Sequence, residues 1–220
     1  MIVSDNEIQV LVCKAGEARG LEPGLREDLA EACAWLARHQ LPGLELAAAV
    51  LQEDCSVRPR PLAEPGHWNL AGGSLLLWLR PLLEHHLALN GQAVELILEN
   101  ARDPLAMLPV LLTAGPALRA DWQAAAGDAD DQVRGPRQEL RGRFREPTQT
   151  IGRLRIRFEL PGSTIAPWLD ADALTQRRAH SLDHGIEVPE STWKTLRAMA
   201  RNILVEASEA SRQRGAGEIT

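Results

Sequence analysis

The sequence predicts an α+β protein, in which helical N- and C-terminal segments pack beside a mainly antiparallel sheet. Two observations predict this class. Apolar residues recur at helical intervals through the first fifty residues and again after residue 170, whereas apolar and polar residues alternate in several stretches between about residues 92 and 160. Of the 220 residues, 45% are hydrophobic and 25% are charged, which is the balance of an ordinary globular protein.

The same patterns divide the chain into three parts. We expect a helical segment over residues 1–52, a sheet-containing region over residues 53–162, and C-terminal helices over residues 163–220 that pack back on the N-terminal segment. No long linker separates the parts, so a single domain is equally compatible with the sequence.

Three helices are predicted in the N-terminal segment. Ser4 and Glu7 have the spacing of a capping box, which indicates the start of the first helix. Pro23 stands where a second helix begins, and Pro42-Gly43 separates it from a third, short helix. The second helix has an apolar stripe followed by a histidine near its end: Leu25, Leu29, Cys33, Leu36 and His39.

The middle of the chain mixes loop, helix and strand patterns. Residues 52–73 are punctuated by proline and glycine and are predicted to form a loop. An apolar helix follows over residues 74–89, with Pro81 kinking it. After it we predict a strand over Val94–Leu98, a buried helix over Leu105–Leu112, a strand over Leu118–Trp122 and an acidic turn over Gly127–Asp131.

Six arginines form the most distinctive pattern. Apolar residues alternate strictly with arginines in residues 153–160, and a similar alternation precedes them in residues 140–145. We predict that these stretches pair as a hairpin around Thr148-Gln149. One sheet face would then carry Arg141, Arg143, Arg145, Arg153, Arg155 and Arg157.

Like charges on one sheet face repel one another, so opposite charges are needed to neutralise them. An acidic protein surface or an anionic small molecule would supply these charges, because the guanidinium group matches carboxylate and phosphate geometry. The alternative is a solvated face whose arginines pair with neighbouring carboxylates, and such exposed ion pairs are common. Nucleic acid is disfavoured as a partner, since the net charge is −6 and Phe144 and Phe158 have the opposite parity from the arginines.

The C-terminal part returns to helix. Asp170 is a predicted N-cap, and Gly185 ends that helix as a C′ glycine. Ile186-Glu187-Val188 forms a short extended link, and Pro189 begins the last helix. Its predicted inner stripe is Trp193, Leu196, Ala200 and Ile203, and we expect the polar residues from Ser208 onward to be partly mobile.

Two histidine groups are the weak candidates for chemistry. His180 and His184 are four residues apart, so they share a helix face and could ligate a metal or act as a general base. Glu84-His85-His86 is a second group that folding could bring near them. The alternative is that His180 and His184 complement the dipole of the last helical turn. Because no further ligand is identifiable, we expect no bound metal and no cofactor.

A glycine-rich loop and the cysteines provide little evidence for a binding site. Gly72-Gly73-Ser74 precedes a helix and could expose backbone N–H groups to an anion, but the chain has no Walker A sequence and no GxGxxG. Three cysteines without CxxC spacing suggest neither a disulfide framework nor a zinc site. With no signal peptide and no apolar run of membrane-spanning length, we expect a cytoplasmic protein without membrane contact.

The two ends of the chain carry a resemblance. Residues 3–43, ending in Leu41-Pro42-Gly43, and residues 185–217 resemble an uncharacterised bacterial family known only as a domain of unknown function. More distantly, both ends resemble the malate/sulfolactate dehydrogenase family, which uses a nicotinamide cofactor and has a comparable "GI.VP" link, here Gly185 to Pro189. That family has a Ser-His-Gly turn, whereas Pro42 replaces the histidine here. The resemblance thus implies a dehydrogenase-like fold with a lost activity.

Two classes of function follow. The leading one is a non-catalytic binding or accessory protein, expected to form a homo-oligomer, that uses the arginine-bearing sheet face. The alternative is an enzyme or degenerate enzyme acting on a small carboxylated or phosphorylated metabolite. A cavity that gathers the arginines with His180, His184 or His85 would favour the enzyme.

Overall fold

The computed structural model describes residues 1–90, 95–113, 118–124, 130–135, 150–158 and 171–203. Its helices are α1 (Asp5–Ala18), α2 (Pro23–Arg38), α3 (Gly43–Gln52), α4 (Leu75–Asn90), α5 (Met107–Thr113), α6 (Ala171–His184) and α7 (Glu190–Ala200). Its strands are β1 (Ile2–Val3), β2 (Arg60–Pro61), β3 (His67–Asn69), β4 (Glu95–Arg102), β5 (Leu118–Ala124), β6 (Asp130–Gly135), β7 (Thr150–Phe158) and β8 (Ile186–Glu187). The predicted α+β class is confirmed.

Local capping determines where the first helices begin. The Ser4 hydroxyl accepts the Glu7 N–H at 3.2 Å, and the Glu7 carboxylate accepts the Ser4 N–H at 2.8 Å, so the predicted capping box is confirmed. Pro23 opens α2, as predicted. The predicted stripe of α2 is buried against its neighbours: Leu25, Leu29, Cys33 and Leu36.

The two ends of the chain fold together. Helix α1 packs against both α2 and α7. Strands β1 and β8 pair antiparallel, with Ile2 opposite Glu187 and Val3 opposite Ile186. Gly185 ends α6 with a φ of +82°, in the left-handed region that favours glycine, and Leu196 of α7 is buried as predicted. The predicted N-cap Asp170 and the segment from Ser208 onward lie outside the described residues.

A six-stranded sheet occupies the middle of the chain in the order β2-β3-β4-β7-β5-β6. The β3–β4 pair is parallel and the other pairs are antiparallel, so the predicted mainly antiparallel sheet is confirmed. The predicted loop over residues 52–73 was wrong in part, because it contains β2 and β3. Strands of two and three residues are too short to show an alternating pattern.

The predicted arginine hairpin was wrong in its pairing. Strand β7 pairs with β4 along one edge and with β5 along the other. A strand has only two edges for hydrogen bonding, so both edges of β7 are occupied by strands other than the predicted partner. Residues 140–149, including the predicted turn, lie outside the described residues. An alternating pattern shows which residues of a strand lie on the same sheet face, but it does not identify the neighbouring strand. This explains the wrong prediction of the pairing.

The predicted acidic turn over residues 127–131 was wrong at its C-terminal end. Asp130 and Asp131 begin β6 and pair with Gln123 and Trp122 of β5. Pairing with a neighbouring strand thus outweighs the low strand propensity of aspartate. Within the described parts of the chain, no helix has the length and apolar character needed to cross a bilayer.

Gly43 permits the close packing of α3 on α2. A Cβ at this position would overlap the carbonyl oxygen of Cys33 and lie 2.9 Å from the Cβ of Leu36. Both neighbours belong to the well-packed α2, so neither can move far.

We therefore expect Gly43→Ala to lower the free energy of unfolding by about 1–3 kcal/mol through overpacking. Gly24→Ala is the matched control, because a Cβ on Gly24 meets no atom within 4 Å and α2 already includes this residue. That control should be neutral or stabilising by up to about 1 kcal/mol. Urea denaturation measures both, and equal effects of the two variants would contradict the packing role of Gly43.

Candidate functional site

The turn between α2 and α3 is the candidate functional site. His39 is the C-cap residue of α2, and the Leu41 N–H donates back to the Leu36 carbonyl at 2.9 Å. Gln40 has a φ of +55°, a left-handed conformation that a helix end requires and that here is held without glycine. Pro42 then stands at the N-cap of α3 and makes no side-chain capping bond. The turn therefore presents a proline where α3 begins.

His39 is the imidazole closest to this proline in the sequence, and it is locked in place. Its ring stacks on Trp35 with 3.9 Å between centroids, and its Nδ1–H donates to the Trp35 carbonyl at 2.7 Å. Only 7% of His39 is exposed. Burial lowers the pKa of His39 and outweighs the hydrogen bond to the Trp35 carbonyl, which raises it, and the charges of Arg38, Arg178 and Arg177 lower it further. His39 is therefore a neutral packing residue at neutral pH.

A cleft of about 700 Å³ opens beside this turn. Leu41 and Pro42 form one wall, and residues of α6 and the β8–α7 link form the other. Three carboxylate residues line it, namely Glu45, Glu187 and Glu190, together with His180 and Ser181. Glu190 is paired with Lys194 at 2.6 Å, and this bond lowers the pKa of Glu190. The lining also includes the ammonium group of Met1, which donates to the Val188 carbonyl at 2.9 Å, so it carries charges of both signs.

The predicted histidine pair lies only partly in this cleft. His180 lines it, and the rings of His180 and His184 stack with 4.5 Å between centroids. The Nδ1 of His184 is 3.1 Å from the His180 carbonyl, so that nitrogen is used within the helix. Among the described residues, no group of three His, Cys, Asp or Glu side chains could hold a metal ion. The pair therefore has the geometry of a surface helix end.

The second histidine group lies elsewhere. His85 packs edge-on against Trp68 of β3, with 5.7 Å between centroids. Gly66 approaches His86 so closely that a Cβ on the glycine would lie 2.7 Å from the imidazole Cε1. The structure thus brings His85 and His86 to the Gly66–Trp68 segment, whereas Glu84 pairs with Arg80. These described contacts do not join the group to His180 or His184.

The glycine-rich loop before α4 uses its own backbone donors. The N–H groups of Ala71, Gly72 and Gly73 donate to Asn69 Oδ1 at 2.7 Å, to the Asn100 carbonyl at 2.7 Å and to the Leu70 carbonyl at 2.8 Å, respectively. Arg102 beside the loop is bound to the Glu53 carboxylate. These three N–H groups already have partners, so they are not open donors of the kind that an anion site requires.

Three of the six predicted arginines lie on β7. Arg141, Arg143 and Arg145 lie outside the described residues. On β7, the register places Arg153 opposite Glu99 and Gln123, Arg155 opposite Ile97 and Asp121, and Arg157 opposite Glu95 and Arg119. Three acidic positions therefore lie in cross-strand register with the three arginines. The binding of an anionic partner there stays a prediction.

An apolar groove between α2, α4 and α5 was missed by sequence reasoning. Its volume is about 270 Å³. Asp28, Glu31, Ala32 and Trp35 form the α2 wall, and their i, i+3, i+4, i+7 spacing was the available signal. The α4 wall and the α5 end could not be assigned from that spacing, because they are distant in the sequence. They include Leu76, Arg80, Leu83, Glu84, Leu87 and Val110.

Comparisons with known proteins agree with both resemblances. Residues 3–73 match the model of a family described as a protein of unknown function, DUF3726. Among solved structures, a dehydrogenase from Sinorhizobium meliloti is similar with a TM-score of 0.59 at 12% identity, covering 91% of this chain and 99% of that chain. No curated protein has a sequence similar enough to match this chain.

Two further structures extend this likeness. Malate dehydrogenase from Pyrococcus horikoshii has a TM-score of 0.56 at 8% identity, covering 94% of this chain and 96% of that one. Sulfolactate dehydrogenase from Methanocaldococcus jannaschii has a TM-score of 0.55 at 7% identity, covering 92% and 97%. At these identities the likeness is one of fold.

The buried His39 predicts a pH-dependent stability. Because burial lowers its folded-state pKa below the unfolded value of about 6.5, the unfolded chain binds more protons than the folded chain at mildly acidic pH. The free energy of unfolding should therefore fall as the pH drops below about 6.5. In His39→Asn, which keeps an N–H donor for the Trp35 carbonyl but does not titrate, the fall should be smaller. Urea unfolding between pH 8 and 5 measures both slopes, and equal slopes would refute the prediction.

A second prediction concerns zinc at the histidine pair. We expect the purified chain to contain no stoichiometric zinc, because His180 and His184 alone provide too few ligands for a closed site. Elemental analysis after gentle purification measures this. About one zinc per chain, lost in His180→Ala or His184→Ala but retained in the nearby His39→Asn, would show the prediction to be wrong.

Proposed function

We propose that this chain is a non-catalytic binding or accessory protein of the cytoplasm, built on a fold like that of malate and sulfolactate dehydrogenases. The observation that carries the proposal is Pro42 at the α2–α3 turn, where the dehydrogenase family that the chain resembles has a histidine. We propose further that the chain acts by associating with a partner and does not turn over a substrate. Its three free cysteines are compatible with a reducing compartment.

Oxidation of a hydroxy acid needs an acid–base group at the hydroxyl, because a proton leaves that oxygen as the hydride passes to the nicotinamide. Proline has no side-chain group that can take or supply this proton. His39 cannot take its place without rearrangement, because burial, the Trp35 stack and the bond to the Trp35 carbonyl hold its ring away from solvent. The turn therefore lacks the acid–base chemistry of the family it resembles.

The cleft beside the turn supports the same proposal by its charge. Malate and sulfolactate, named in two of the similar structures, are anions under physiological conditions. Glu45, Glu187 and Glu190 line this cleft. Glu45 and Glu187 disfavour such anions by like charge, although Glu190 is paired with Lys194 and the Met1 ammonium adds one positive charge. The likeness to dehydrogenases supports the enzyme alternative at the level of fold alone.

The arginine-bearing sheet face is part of the binding proposal. Arg153, Arg155 and Arg157 alternate along β7 with residues 154 and 156, which lie opposite the buried Leu98 and Leu96. The arginines thus hold the positions of the other sheet face. We propose an acidic protein surface or an anionic small molecule as their partner, and a homo-oligomer as the assembly. The acidic residues in cross-strand register with these arginines reduce the net positive charge that such a partner would meet.

A hydride-transfer assay tests the proposal. With malate or sulfolactate and either NAD⁺ or NADP⁺, we expect turnover below about 10⁻³ s⁻¹, against a median near 10 s⁻¹ for enzymes. Nicotinamide absorbance at 340 nm measures this, and an active malate dehydrogenase in the same assay is the positive control.

One outcome would establish the enzyme alternative. Turnover above that limit which co-purifies with the chain and is lost in His39→Asn would give His39 the acid–base role that its burial argues against. Gly24→Ala, a substitution far from the turn that adds only an exposed methyl group, should leave any such activity unchanged.

A further inference from the structure

The groove between α2, α4 and α5 has a built apolar interior. The Trp35 ring on its α2 wall is held by the stack on His39, and Leu76 and Leu83 of the α4 wall are buried. Val110 of α5 also lines the groove, while Leu87 at the mouth is 42% exposed. A rigid apolar cleft with a partly exposed entrance has the form of a small-molecule site.

The mouth of the groove carries an excess of negative charge. Arg80 pairs with Glu31, with Glu84 at 3.0 Å and with Asp28 at 3.4 Å. One guanidinium thus faces three carboxylates. Burial raises the pKa of Asp28, and the nearby Glu84, Glu31 and Glu27 add to that rise although Arg80 opposes it. A further cation at the mouth would therefore be favoured and a further anion disfavoured.

We infer that this groove binds a small ligand with an apolar body and a cationic head, of the class of alkylammonium compounds. The apolar body occupies the space between Trp35 and Leu83, and the ammonium group pairs with Asp28 and Glu84 at the mouth. This inference goes beyond the proposed function, and it holds whether or not the chain turns over a substrate.

The size of the groove sets the size of the ligand. At about 30 Å³ for each water-sized group, 270 Å³ accommodates roughly nine non-hydrogen atoms. n-Octylammonium has nine, and octanol and octanoate offer nearly the same apolar body with a neutral or a negative head. These three compounds separate the contribution of the charge from that of the apolar chain.

Calorimetric titration of the full chain with the three compounds tests the inference. We expect octylammonium to bind most tightly, octanol more weakly and octanoate most weakly, with the preference for octylammonium shrinking at high salt. Asp28→Asn should weaken octylammonium about tenfold, which corresponds to about 1.4 kcal/mol. Glu27→Gln is the matched control, because it removes one negative charge from an exposed neighbour outside the groove, and it should change the affinity less than about twofold.

A second variant covers the case in which Asp28→Asn fails to fold. Glu84 is at the exposed rim, so Glu84→Gln should fold and should weaken octylammonium about threefold. Trp35→Phe locates the ligand, because it should abolish a ligand-induced change in tryptophan fluorescence while calorimetric binding persists. The inference is overturned if octanoate binds as well as octylammonium, if no compound binds, or if the folded Asp28→Asn and Glu27→Gln variants behave alike.

Discussion

The burial of α2 is the constraint on which the rest of the described structure depends. Eight of its sixteen residues are buried, and it contacts α1, α3, α4, α5, α6 and β8. A helix surrounded in this way cannot shift without disturbing several interfaces, since protein interiors are packed as densely as crystals. Its C-terminal end positions the turn with Pro42, and its side presents Asp28 and Trp35 to the groove. One rigid helix therefore positions both candidate sites.

What could be predicted from the sequence is what local chemistry determines. The Ser4–Glu7 capping box, Pro23 and Gly185 mark helix ends through groups a few residues apart, and the structure has those ends where they were expected. Partners in the sheet are not local. The neighbours of β7 are β4, more than fifty residues earlier, and β5, and nothing in the alternating pattern of residues 150–158 distinguishes these strands from residues 140–145.

The candidate sites follow the same division. The sequence predicted that Pro42-Gly43 separates the second helix from the third, because that is a matter of residue identity. It could not show that the pKa of His39 is lowered, since that depends on burial in the folded chain and on Arg177 and Arg178 of a helix far along the chain. The groove was invisible for the same reason, because the Glu31–Arg80 pair at its mouth joins residues 49 apart. Tertiary packing, and not local pattern, creates such cavities.

The pairing of β1 with β8 has a consequence for biosynthesis. The helical unit is discontinuous in the chain, because α1 and α3 meet α7 only after the whole sheet region has been made. The part of α1 that packs against α7 therefore stays uncovered for most of translation, until α7 leaves the exit tunnel of the ribosome. Folding that depends on such distant contacts is slow, and nascent chains of this kind are natural clients of chaperones.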